Sequence, residues 1–162
     1  MTMRPTVELL ALLLLAAACS PAQNTSTNSA PVASTAPVVA SATSGAVAAA
    51  IANGKMIFQT GKDSDGVAIS AKKRPLHPYC AACHHVDGSG GLKLPGGATS
   101  ADLRHKALVT DQKVPYTQAL LERAISSGID NEGKPLAPVM PHWTLSKRDL
   151  HDVAYYVLTQ LK

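Results

Sequence analysis

The sequence predicts an all-α fold, a single small helical domain whose long loops wrap a ligand. Apolar residues recur at helical spacing in three stretches, all beyond residue 46. No alternating strand pattern occurs, and the stretches between the helices are rich in Gly and Pro. Charge separates the folded part from the rest. Of the 162 residues, those from Ser20 to Gly54 carry no charge, while Lys55 to Lys162 carry 14 Lys/Arg and 10 Asp/Glu. This is room for one mildly basic domain. With one Phe and one Trp in the whole chain, a domain of about 110 residues needs help from something it binds.

The N-terminus reads as an export signal over residues 1–18. Arg4 opens it, with Glu8 offsetting the charge, and the apolar run Leu9 to Ala18 follows. Ten apolar residues before Cys19 are too few for a hydrocarbon layer of roughly 30 Å, but they suit a signal peptide. "LAAAC", Leu15 to Cys19, resembles the lipobox of bacterial lipoproteins. That resemblance implies that Cys19 is lipidated and becomes the first residue, with Ser20 permitting transfer to the outer membrane, facing the periplasm. The other reading is an ordinary signal with an incidental cysteine. Residues 19–46, lipid anchor included, form a disordered Ala/Ser/Thr/Pro linker that cannot bury enough surface to order itself. At about 5–6 Å times the square root of its length it reaches roughly 30 Å.

The domain occupies 47–162. Its first helix, "AVAAAIANGKMIFQTG", sets Val47, Ala50, Ile51, Gly54 and Phe58 on one side and stops at Gly61. The second, Thr117 to Ser127, carries Leu120, Leu121, Ala124 and Ile125 before Gly128. The third is the clearest. Leu150, Val153, Ala154, Val157, Leu158 and Leu161 trace a buried face, with Ser146 as N-cap and Asp149 in the capping-box position.

"PYCAACHHVDGSGG", Pro78 to Gly91, holds the chemistry. Cys80-Ala81-Ala82-Cys83-His84 is C-x-x-C-H, the attachment pattern of a covalent c-type haem. Two thiols three positions apart reach the two vinyl groups on one haem edge, and His84 then falls beneath the iron. Three other readings stand beside this one. A zinc site could draw on Cys80, Cys83 and two of His77, His84, His85 and His105, but no second CxxC completes it. A thioredoxin-like pair would need a βαβ setting. A disulfide would close only a tiny loop and stabilise little. A sixth iron ligand is available in "APVMPHWTLS". Met1 and Met3 fall in the signal and Met56 in the first helix, so Met140 is the one methionine on a loop. Core packing is its alternative role.

Together, "CAACH", "DGSGG", "MPHW" and "DVAYYVLTQL" resemble the class I c-type cytochromes, over about Ala46 to Lys162. The resemblance implies a small cytochrome c-like helical domain with one covalent haem c, bound through Cys80 and Cys83 and ligated by His84 and Met140. It also implies that the first and last helices cross, with Gly54 and Phe58 meeting Tyr156 rather than Tyr155. The sequence departs from the family twice. His85 stands where Gly is usual, and "KDSDGVAISAKKRPLHP" lengthens the approach to Cys80.

The expected function is single-electron transfer in the periplasm, without enzymatic turnover. Redox partner proteins are the expected partners, together with the membrane through the lipid anchor, and nucleic acid is not. Lys72, Lys73, Lys93 and Lys134 could form a positive rim for an acidic partner, or simply a solvated surface. A second reading is a haem-based small-ligand sensor or weak peroxidase, using His85 or His142 near the iron. In a third, the chain is the cytochrome subunit of a larger dehydrogenase or oxidase. His105 and His151 read as surface residues.

Overall fold

The computed structural model describes residues 38–162, with side chains described from residue 43. The export signal, Cys19 and the linker up to residue 37 lie outside the described residues. The described chain is mostly helical: α1 (Val38–Thr60), α2 (Ala81–His84), α3 (Gln118–Ser127) and α4 (Lys147–Gln160), with a 3₁₀ turn at Pro95–Gly97 and a π-helical turn at Lys106–Thr110. The only strands among the described residues are two-residue segments, β1 (Ser70–Ala71) and β2 (Trp143–Thr144), paired antiparallel. Two residues are too few to leave an alternating pattern, so the sequence does not announce them.

α3 begins and ends, and α4 begins, as their signals require. Thr117 caps α3 by accepting from the Leu120 N–H at 3.3 Å, and Gly128 ends it in the left-handed region. The Ser146 hydroxyl accepts from the Asp149 N–H at 3.1 Å at the start of α4. α1 starts at Val38, inside the stretch 19–46 that the sequence reads as a linker. Residues 38–46 are the first part of this helix, although their Val, Ser, Thr and Gly are weak helix formers. Its side chains from Thr43 to Ala49 are exposed.

The fold is organised by the crossing of α1 on α4. A Cβ on Gly54 would lie 2.1 Å from the Asp152 carbonyl oxygen and 2.7 Å from the Tyr156 Cβ. Only hydrogen at that position lets the backbones approach so closely. One turn on, Phe58 is fully buried and its ring centroid lies 5.7 Å from that of Tyr156, tilted by 50°. This is the contact the resemblance implies, Tyr156 included. Val153, Ala154, Val157 and Leu161 are buried as the helical stripe requires, while Leu150 and Leu158 are partly buried against them. Ile57, also fully buried, was missed because it lies beside the expected stripe.

The same crossing holds a polar knot. Asn53 is buried and its amide donates to Asp149 Oδ1 at 3.0 Å and Asp152 Oδ2 at 2.8 Å, while its carbonyl accepts from the Ser64 N–H at 2.7 Å. Two buried carboxylates are tolerable because each has donors. Burial alone would raise the Asp149 pKa, but hydrogen bonds from Ser146, Asn53 and Arg148 outweigh it and hold the carboxyl below its ordinary value.

Candidate functional site

Phe58, Val153 and Val157, from the helix crossing, form part of the wall of an apolar cavity of about 370 Å³. Leu121, Ala124 and Ile125 of α3 complete that side. Cys80, Cys83, His84, Met140 and Pro141 line the same cavity. The structure therefore gathers into one space the four side chains that the sequence singles out across 60 residues of chain.

The single turn of α2 fixes the cysteines. Cys83 and His84 both donate their N–H to the Cys80 carbonyl, at 3.1 and 3.0 Å, which turns both thiols and the imidazole toward the cavity. The thiols are not joined to each other. Desolvation by burial pushes the Cys80 thiol up to about 12 and raises that of Cys83 as well. A redox-active CxxC works through a lowered thiol pKa, so this environment does not suit thioredoxin-like exchange. Zinc fares no better. His77 and His84 border the cavity, yet among the described residues no three His, Cys, Asp or Glu side chains are grouped to hold a metal ion.

The His84 ring is fixed by the backbone. Its Nδ1 donates to the Ala101 carbonyl at 2.8 Å, leaving the Nε2 lone pair free in the neutral ring. Burial lowers its pKa, outweighing the Ala101 bond that raises it, and His85 lowers it further. The glycines after it explain how Ala101 reaches this position. A Cβ on Gly90 would sit 2.2 Å from the Ala101 oxygen, and Gly90 itself donates to the His84 carbonyl at 3.0 Å. The Gly-rich "DGSGG" is thus the support that orients the histidine.

Met140 is half-buried, packed against the core, and its N–H donates to the Ala137 carbonyl at 2.9 Å. Beyond Pro141, Trp143 is buried and lines the cavity, and its indole Nε1 has no hydrogen-bond partner. A buried unpaired donor calls for an acceptor. A haem fits the residues present. Its apolar face suits the cavity walls and its vinyl groups the two thiols. Its iron would find an imidazole nitrogen and a thioether among the lining residues, and its propionates would supply the kind of acceptor that the orphan indole N–H lacks. Trp143 could be read from sequence only as an apolar neighbour of Met140, because an unpaired N–H is a property of packing.

The remaining histidines stay outside the cavity. His85 is exposed at φ 63° and ψ 160°, a backbone region open essentially to glycine, and its Nδ1 lies 3.2 Å from the Ser89 hydroxyl. His142 is exposed and its ring occupies the space over Gly128. His105 holds the end of α4 through the Leu158 carbonyl at 2.9 Å, and His151 stacks on Tyr155 with ring centroids 6.1 Å apart. Of the lysine rim, Lys134 pairs with Glu132 and Lys93 donates to Thr99 at 3.0 Å, whereas Lys72 and Lys73 are exposed.

An apolar pocket closed by two helices, with a CxxCH turn entering it, defines a covalent-haem protein. Comparison with known families agrees: the model of the cytochrome c family matches residues 51–160, and the chain belongs to that family. No curated protein and no solved structure matches it significantly. Membership carries haem-based electron transfer, covalently bound haem c and redox partners in general.

Proposed function

We propose that this chain is a monohaem electron carrier, with one haem c bonded to Cys80 and Cys83 and held axially by His84 and Met140. The observation that carries the reading is the convergence of those four side chains on one apolar cavity, with the His84 Nδ1 already committed to Ala101. When bound, the haem supplies one-electron iron chemistry at a potential raised by thioether ligation and burial. The protein's part is to hold and screen. The Ala101 carbonyl orients the imidazole while burial favours its neutral form, Met140 would fill the remaining iron position, and Phe58, Val153 and Val157 exclude water.

The sensor and peroxidase reading loses ground, because His85 and His142 are not among the cavity's lining residues. The chain is exported to the periplasm and anchored by lipid at Cys19, on the strength of the apolar run and "LAAAC". Among the described residues no helix is long and apolar enough to cross a membrane. Replacing Met140 by Ala tests the ligation. The variant should keep its covalent haem and lose the sulfur-to-iron charge-transfer band of the oxidised protein. A band that survives the substitution refutes the assignment. Mass spectrometry of the mature N-terminus tests the anchor, and a chain that starts after Cys19 refutes it.

A further inference from the structure

The insertion ahead of Cys80 has no place in the function described so far, and the structure shows it folded onto the methionine loop. It follows Gly61, whose carbonyl accepts from the Ile69 N–H at 2.9 Å. Asp63 closes its first turn, with its side chain accepting from the N–H groups of Asp65 at 3.0 Å and Val67 at 2.7 Å. Both crossing helices grip that turn: Asn53 of α1 accepts from Ser64, and Arg148 of α4 pairs with Asp65 at 3.0 Å. The chain then runs as β1 against β2, with Ser70 opposite Thr144 and Ala71 opposite Trp143. Immediately after, the Lys72 N–H donates to the His142 carbonyl at 3.0 Å. His142 is two residues from Met140. On its other side the loop is held through Leu136, whose N–H donates to the Gly128 carbonyl at 2.8 Å.

We propose that residues 62–72 form a strap that positions Met140, holding its loop over the cavity so that the sixth iron position stays closed to outside ligands. This rests on the His84/Met140 reading above. The loop is fixed at α3 on one side and at the strap on the other, so Met140 leaves the iron only when one side yields. Lys72 and Ala71 are then positioning residues that act through the backbone of His142 and Trp143. Their contribution reads out as the population of an open state, and an external ligand binds more tightly in proportion to that population.

Imidazole titration of the oxidised haem protein, followed by loss of the sulfur-to-iron band, measures it. Lys72→Pro removes the N–H while leaving an exposed position otherwise free, and Lys72→Ala keeps the N–H. We expect Lys72→Ala to bind imidazole as the unmodified protein does, and Lys72→Pro to bind about fivefold or more tightly, the worth of one net hydrogen bond. Should Lys72→Pro fail to take up haem, Ser70→Cys with Thr144→Cys decides the matter. Cross-linking these partners should weaken imidazole binding, and the same double variant with its thiols alkylated before they pair should not show that weakening. Unchanged imidazole affinity in the cross-linked protein, with the band intact, overturns the strap and leaves the ligation standing. A protein that never shows the band overturns the ligation and the strap together.

Discussion

Gly54→Ala isolates the contact on which the architecture depends. The added Cβ would meet the Asp152 carbonyl oxygen at 2.1 Å and the Tyr156 Cβ at 2.7 Å. Neither atom is the free end of a flexible side chain, so the helices must separate by roughly 1.4 Å to restore ordinary van der Waals distances near 3.5 Å. Separation loosens the Phe58–Tyr156 contact and stretches the Asn53 bond to Asp152, which is 2.8 Å long in the native packing. Overpacking of this kind costs about 1–3 kcal/mol, and the weakened buried hydrogen bond adds about 1 kcal/mol. Against this, Ala gains about 1 kcal/mol over Gly in helix propensity. The net loss is about 2 kcal/mol, or a fall of roughly 6–10 °C in Tm for a domain of this size. Denaturant unfolding of the haem-loaded variant, followed by far-ultraviolet circular dichroism, measures it. A Gly54→Ala protein as stable as the original, or more so, refutes the close crossing of α1 and α4.

Other consequences follow from the polar knot and the haem turn. Asn53→Ala leaves the buried carboxylates of Asp149 and Asp152 short of a donor and should cost about 2–4 kcal/mol in the same unfolding experiment, with a loss under 1 kcal/mol refuting the knot. Asp149 is held below its ordinary value of 3.8 in the fold, so its contribution is present above that pH and lost as pH falls through the lower folded value. Unfolding free energy should therefore drop on acidification below about pH 4 and do so less in Ser146→Ala, since that hydroxyl helps to depress the pKa. An equal drop in both proteins counts against the assignment. His85→Gly relieves a glycine-only backbone conformation and should stabilise the protein by about 1 kcal/mol, with a destabilised variant showing instead that the ring's contact with Ser89 matters more. Cys80→Ala with Cys83→Ala should abolish covalent haem, and full attachment in that variant contradicts the role of the turn.

What the sequence made legible follows from the range over which each signal acts. The caps and stripes of α3 and α4 are local, and Thr117, Gly128 and Ser146 stand where those helices start and stop. The haem turn is local too, since five consecutive residues carry both thiols and the imidazole. The Gly54–Phe58–Tyr156 contact spans almost 100 residues and was reached through family resemblance rather than periodicity. Interactions that form only in three dimensions stayed hidden. Asn53 reads as an ordinary polar residue until Asp149 and Asp152 are folded over it. Ala101 has no side-chain chemistry to announce that its carbonyl orients His84. The two-residue ladder between the insertion and the methionine loop is too short for any pattern. The start of α1 at Val38 is not legible either, because an uncharged Ala/Ser/Thr composition reads as a linker and composition alone does not separate the two.

The central claim is a haem bonded to Cys80 and Cys83 with His84 and Met140 on its iron. The most direct test is the optical spectrum of the exported protein, oxidised and reduced, with denaturing extraction to remove any haem that is not covalently bound. The account predicts a c-type spectrum that survives extraction and, in the folded oxidised protein, a sulfur-to-iron charge-transfer band. Covalent haem without that band contradicts the Met140 ligation, and a protein that emerges without haem from a cell competent in its attachment contradicts the account as a whole.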